Sequence, residues 1–218
     1  MTARNNAKLK AVVKAANAVP SENFSAYGGG WPSAISLALL DAVFSMRAVY
    51  RSDRPGVGVH GRLMTFREEH YEATNDLALL HAIGEGEVER IMGKTKSAQR
   101  LKSAIAIEAA RGFVESGVRT ANDFRSRDIA DTKSIYTSGR GLGWVTFEYF
   151  AMHLGVPGVK ADTMIVRFVN RALEAEGLDH VRARDARALV VAAHEETGRG
   201  ESLMHFDHAL WRSESDRA

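Results

Sequence analysis

The sequence predicts an all-α protein. Three observations lead there. Apolar residues recur at three- and four-residue spacing through most of the chain, the period of a helix with one buried face. No stretch alternates apolar and polar residues as a half-buried strand would, so no strand is predicted. Glycines, prolines and capping residues cut the pattern into about nine to eleven pieces of ordinary helix length. With 218 residues, 45% of them hydrophobic and 26% charged, the chain suits one large or two small globular domains with a full core.

Composition excludes several classes of chemistry. The chain has no cysteine, which rules out disulfides, thiol catalysis and cysteine-held metal clusters. The net charge of +2 neither demands nor excludes a nucleic-acid partner, because a local basic face matters more than the total. No apolar run approaches the length needed to cross a membrane. The opening MTARNNAKLK has positive charge but no continuous apolar segment, so secretion is not expected and a cytoplasmic location is.

In chain order, residues 4–19 read as a helix with Leu9, Val12, Val13 and Ala16 on one face. Residues 20–32 read as a loop in which three glycines lie between Tyr27 and Trp31. A helix follows over 34–50, apolar nearly all round and therefore central. Asp41 stands on it, and a buried aspartate is either a hydrogen-bond hub or a site residue. Residues 51–64 read as a loop punctuated by Gly and Pro. The next helices are expected over 65–83, stopped by Gly84, and 86–92, ended by Gly93. Lys94, Lys96, Arg100 and Lys102 form a basic cluster at the start of a helix over 97–116, a solvated face unless it meets phosphate. One or two short helices fill 121–137. Beyond residue 175, helices are expected over 183–197 and 201–212. His205 and His208 share a face of the latter, but no further ligands in a metal-binding pattern accompany them, so no metal site is expected.

The stretch from Ser138 to Arg171 concentrates the unusual features. Gly139-Arg140-Gly141-Leu142-Gly143 makes a poor helix and a poor strand but suits a tight turn. It leads into a helix over 144–154, whose first N–H groups lack intrahelical partners. A turn with a helix start behind it is either a plain connection or an anion-holding site. A short Gly/Pro loop, 155–160, then delivers Asp162 to a helix whose Ile165, Phe168, Val169, Ala172 and Leu173 form one apolar stripe. Asp162 reads as the N-cap of that helix, and a carboxylate so fixed is also rigidly placed for catalysis; the two roles are compatible.

The combination resembles the core of the helix-hairpin-helix–GPD superfamily of base-excision DNA glycosylases, the relatives of endonuclease III and of adenine glycosylase. The family's glycine hairpin is matched by Gly139-Arg140-Gly141-Leu142-Gly143, its Thr-bearing helix by Thr146, and its Val-Asp-Thr segment by Ala161-Asp162-Thr163-Met164-Ile165-Val166-Arg167. Asp162 follows Gly143 by nineteen positions, close to the family spacing. The likeness extends weakly over 34–175 and includes Phe206-Asp207-His208-Ala209-Leu210-Trp211.

The resemblance implies two helical lobes with a cleft between them. One is a barrel-like lobe over 34–154 that includes the hairpin; the other comprises 1–33 and 155–218 and carries the catalytic Asp. It implies a monomer acting on double-stranded DNA that contains a damaged base, flipping the base out of the stack and hydrolysing its N-glycosidic bond. Asp162 would stabilise positive charge on the sugar and take a proton from water. Backbone amides at Gly141, Gly143 and Val145 would hold phosphate, with Gly139, Arg140, Leu142, Thr146, Lys160 and Arg47 completing the DNA-contacting set. Tyr27, Trp31, Asp41 and Trp144 would line the base pocket.

Four departures from the family pattern matter. No iron–sulfur cluster can be held, since the cysteines that ligate one are absent. No other cofactor is implied, beyond a monovalent cation at the hairpin. Bifunctional members carry a lysine two residues after the last hairpin glycine; Val145 stands there, so no lyase step is expected. The family's gap-filling glutamine segment is matched by Ser45-Met46-Arg47, where a planar guanidinium replaces the amide, and Arg140 replaces a proline. Two other readings stand beside this one: a non-catalytic DNA-binding member of the same fold, and an all-α protein with no nucleic-acid partner.

Overall fold

The structure, a computed structural model, describes residues 3–25, 27–54 and 56–217. It is all-α, as the periodicity predicts: twelve α-helices among the described residues, with one two-stranded ribbon of two residues per strand. The chain forms two compact units, one of residues 29–156 and one of residues up to 28 together with 157–218.

The 29–156 unit is built on α3 (Ile35–Phe44), all ten of whose residues are buried. Around it pack α4 (Gly58–Glu69), α5 (Leu77–Met92), α6 (Lys102–Glu115) and α9 (Trp144–His153). The short helices α7 (Ala121–Ser126) and α8 (Ile129–Ser138) bring aromatic rings to the far side of the core. There Tyr136 stacks on Phe150 at 5.4 Å and Phe124 meets it edge-on at 5.1 Å, with Phe113 and Phe147 closing the cluster. Each such ring, fully buried, contributes about 2–3 kcal/mol of hydrophobic stabilisation before entropy is counted.

Element boundaries in this unit differ from the sequence expectation in four places. The helix expected over 34–50 ends at Phe44, because the buried ammonium of Lys102 takes the carbonyls of Phe44 and Met46, at 3.0 and 2.7 Å, and Arg47 turns into the left-handed region (φ 53°). The loop expected over 51–64 already contains α4, whose two glycines hide a helical stripe of Val59, Leu63 and Phe66 that only burial reveals. The helix expected over 65–83 is interrupted: α4 stops at Glu69, a 3₁₀ turn covers Tyr71–Ala73, and Asp76 starts α5 by accepting from the amides of Ala78 and Leu79. At Gly84, where the sequence expects the helix to stop, α5 breaks (φ 83°, ψ 171°, a conformation only glycine adopts freely) before its second part runs on to Met92. The helix expected from residue 97 begins at Lys102, after the ribbon of β1 (Lys96–Ser97) and β2 (Arg100–Leu101). Both central residues of its turn, Ala98 and Gln99, are left-handed (φ 49° and 65°) without being glycine or asparagine, so sequence carried no hairpin signal.

The other unit contains α1 (Ala3–Asn17), the single turn α2 (Ser21–Phe24), α10 (Thr163–Glu174), α11 (Ala183–Thr197) and α12 (Leu203–Ser215). Its core is the stripe expected on α10, Ile165, Phe168, Val169, Ala172 and Leu173, against Leu9, Val12 and Ala16 of α1 and Phe206, Ala209 and Leu210 of α12. Glu214 is buried and accepts from Arg171 Nε at 3.0 Å, which pins α12 to α10. Asn170 bonds both backbone groups of Val181 and fixes the loop before α11. No helix among the described residues is long and apolar enough to cross a membrane.

Candidate functional site

Three constellations are relevant: the glycine turn, the Asp41 cluster and Asp162. The first two lie in the 29–156 unit and the third in the other.

The glycine turn connects α8 to α9. Gly139 caps α8 and its carbonyl accepts from the Leu142 amide at 3.1 Å. Gly141 is the position where glycine is required. Its φ is +101°, and a Cβ there would come within 3.0 Å of Ile105 Cδ1. Gly143 is different: its φ is −138° and a Cβ would meet nothing within 4 Å. The Thr146 hydroxyl ties both backbone groups of Gly143, accepting from its amide at 3.1 Å and donating to its carbonyl at 2.8 Å. The Gly143 amide, expected to hold phosphate, is therefore already engaged. The Gly141 amide has no protein acceptor among the described residues, and the Val145 amide lies in the first turn of α9, where helices leave donors free. Arg100 donates to the Arg140 carbonyl at 2.9 Å and pairs with Glu108, tying the turn to β2 and α6. Leu142 is buried and anchors the turn from inside.

Of the basic cluster that precedes α6, Lys102 is a buried helix cap and Arg100 is paired. Lys94 and Lys96 remain at the surface. Arg47 is exposed and has no ion-pair partner among the described residues.

Asp41 is buried completely, 0% exposed, and is the hub of the unit. It accepts from Trp31 Nε1, Ser45 Oγ and Tyr50 OH, each at 2.8 Å, and from Tyr149 OH at 3.5 Å. His153 Nε2 stands 3.5 Å away. Burial pushes the Asp41 carboxyl up, but His153 and these donors outweigh it and hold the pKa at about 2. With every lone pair occupied, Asp41 organises the aromatic side chains around it and has no oxygen left over for a substrate. Trp31 is held edge-on by Asp41, and His60 lies on its face at 6.3 Å and against Tyr50 at 6.0 Å.

The expected base-pocket residues are thus only partly gathered. Trp31 and Asp41 are in direct contact. Tyr27 belongs to the other unit, its ring packed on His205 and His208 of α12 at 5.3 and 5.5 Å. Trp144 opens α9, nine residues before His153, so about 14 Å of helix separates it from that end of the Asp41 cluster. Ser45, Tyr50, His60, Tyr149 and His153 join the cluster, none of them expected from the sequence to lie beside Asp41. Two pairs among them were legible as helical spacing, Asp41 with Ser45 and Tyr149 with His153.

Asp162 caps α10. Its Oδ1 accepts from the amides of Met164 and Ile165 at 2.9 and 3.3 Å, and its Oδ2 lies 3.8 Å from Lys160 Nζ. The side chain is 24% exposed, so the carboxylate is partly open to solvent.

One histidine–carboxylate group among the described residues has ligand atoms close enough for a metal: Glu69, His70 and Glu87. The Arg90 guanidinium donates to Glu69 and to both oxygens of Glu87, and so occupies the place of a cation. Arg90, and after it His70, hold the Glu87 carboxyl down at about 2.

Fold and sites together define an all-helical protein of two units with a glycine turn at one helix start and a reachable carboxylate at another. The chain belongs to the family described as domain of unknown function DUF8548, whose model matches residues 7–215. No curated protein matches it.

Proposed function

We propose that this chain is a monofunctional DNA glycosylase that extrudes a damaged or mismatched base and hydrolyses its N-glycosidic bond. One observation carries the reading. A glycine turn that opens a helix is followed, nineteen positions on, by a partly exposed carboxylate that caps the next helix with one oxygen and leaves the other free of helix amides. In this reading α8, the 139–143 turn and α9 act as a helix-hairpin-helix motif. The amides of Gly141 and Val145 donate to a DNA phosphate, and the open space at Gly143 lets the backbone approach it. Lys160 and Arg47 add contacts to phosphate.

Asp162 Oδ2 faces the sugar. The glycosidic C–N bond breaks with its electron pair leaving on the base, positive charge grows on the sugar, and the carboxylate stabilises that charge. Asp162 takes a proton from the attacking water, whose oxygen bonds to the anomeric carbon. Val145 offers no amine, so no Schiff base forms and the phosphodiester stays intact.

Asp162→Asn tests the reading. The amide still caps the helix, so stability should fall by at most about 1 kcal/mol. Single-turnover base release, screened over duplexes with different lesions, should slow by at least about a hundredfold. Binding to abasic-site DNA should persist. Full activity in the variant would remove Asp162 from the chemistry.

Two observations favour a second reading, a non-catalytic DNA-binding protein. Both Asp162 oxygens have structural neighbours, and Thr146 occupies one of the expected phosphate donors. DNA binding without release of any base would select it.

A further inference from the structure

We propose that the hollow between the Tyr71–Ala73 turn and the outer face of α5 is a docking groove for a Lys/Arg-bearing amphipathic helix of a partner protein. It is an open hollow of about 440 Å³, walled by Tyr71 and Ala73 on one side and by Leu79, Ala82 and Ile83 on the other. The last three stand at i, i+3 and i+4, so they share one face of α5. The residues that α5 buries in the core are Leu77, Leu80, Val88, Ile91 and Met92. Leu79 and Ala82 are exposed and apolar without serving the core, whereas Ile83 is half-buried and packs against it. Tyr71 is 68% exposed and Leu79 42%, two of the five large apolar side chains exposed among the described residues, and both border the same hollow. Apolar surface concentrated in this way, with a polar rim, marks a place of association.

The rim charge selects the partner. Glu69 and Glu72 border the hollow. Residues 67–90 hold seven carboxylates against two arginines, a formal −5 in a chain whose total is +2; Arg119 and Lys94, from outside that segment, pair with Asp76 and Glu89 and bring the balance to −3. An acidic rim repels nucleic-acid phosphate and attracts a basic segment. Arg90 anchors Glu69 and Glu87, and His70 Nε2 lies 2.9 Å from Glu87 Oε1, so the acidic edge is held in place behind the hollow. The Glu72 carboxylate has no ion-pair partner among the described residues. A helix that places leucines in the hollow and a lysine or arginine over Glu72, the rim carboxylate that Arg90 does not hold, satisfies both features at once.

The test is a heteronuclear NMR titration of the isotope-labelled protein with a synthetic amphipathic peptide of about five helical turns, leucine on one face and lysine flanking it. Shifts should be confined to residues 69–73 and 79–83 and weaken with added salt. In the surface double variant Tyr71→Ser, Leu79→Lys the affinity should fall at least about tenfold, with circular dichroism unchanged; Tyr71→Ser alone serves if the double variant unfolds. Any of three results overturns the proposal: no shifts, shifts elsewhere, or equal binding of the same peptide with glutamate in place of lysine. Concentration-dependent dimerisation of the free protein that Tyr71→Ser abolishes would also overturn it, assigning the face to a second copy.

Discussion

Asp41 and Asp162 are two aspartates with opposite surroundings, and the difference sorts their roles. Asp162 is partly exposed, with one oxygen bound by helix amides and one free of them; Asp41 has none to spare. A testable consequence follows for Asp41. Its folded pKa of about 2 lies below the ordinary 3.8, so the folded state binds this proton less readily than the unfolded chain. The stabilisation is present above the unfolded value and is lost as pH falls from about 4 to 2, and it amounts to about 2 kcal/mol. Asp41→Asn should lower the unfolding free energy at neutral pH by at least about that amount, since its amide NH₂ also faces donors it cannot accept from. Urea titrations of both proteins across that pH range should show the gap closing in acid. A gap independent of pH would mean that Asp41 does not carry its charge in the folded protein.

At the scale of the element, the glycine turn shows that three glycines in one motif need not be there for one reason. Gly141 sits at φ +101° against Ile105, whereas Gly143 has an ordinary extended backbone and open space. Gly141→Ala should therefore cost about 1–2 kcal/mol of stability from backbone strain alone, and Gly143→Ala almost nothing. Chemical denaturation of the two single variants checks this; equal losses would refute the assignment. Gly143 is also the cleaner probe of DNA contact. Gly143→Glu leaves the fold intact but projects a carboxylate toward the proposed phosphate, so affinity for duplex DNA should drop while the melting temperature holds.

For the whole molecule, the 29–156 unit is one uninterrupted segment whose two ends meet. The Trp31 amide donates to the His153 carbonyl at 2.7 Å, and Gly30 lies so close to that residue that a Cβ would stand 2.5 Å from its Cα. Together with its own aromatic core, this predicts that residues 29–156 fold alone. The fragment should be strongly helical by circular dichroism and melt cooperatively. A broad, non-cooperative melt would show that its core depends on the rest of the chain. The other unit is made from two separated segments, α1–α2 and α10–α12, and has no such uninterrupted piece to isolate.

The sequence by itself determined the helical class, the central buried helix, the stripe on α10 and the capping role of Asp162. All of these are local: periodicity sets a buried face, and a short polar side chain before a helix satisfies its own amides. Tertiary structure decided what depends on distant partners. α3 stops where Lys102, fifty-eight residues on, takes the Phe44 carbonyl. α4 forms inside a glycine-rich stretch because its stripe finds a core. Ala98 and Gln99 accept left-handed backbone so that the ribbon can close beside the glycine turn, and Asp41 became a hub because three separate segments deliver donors to it. A residue's spacing in the chain says which face it occupies; only packing says what waits on that face.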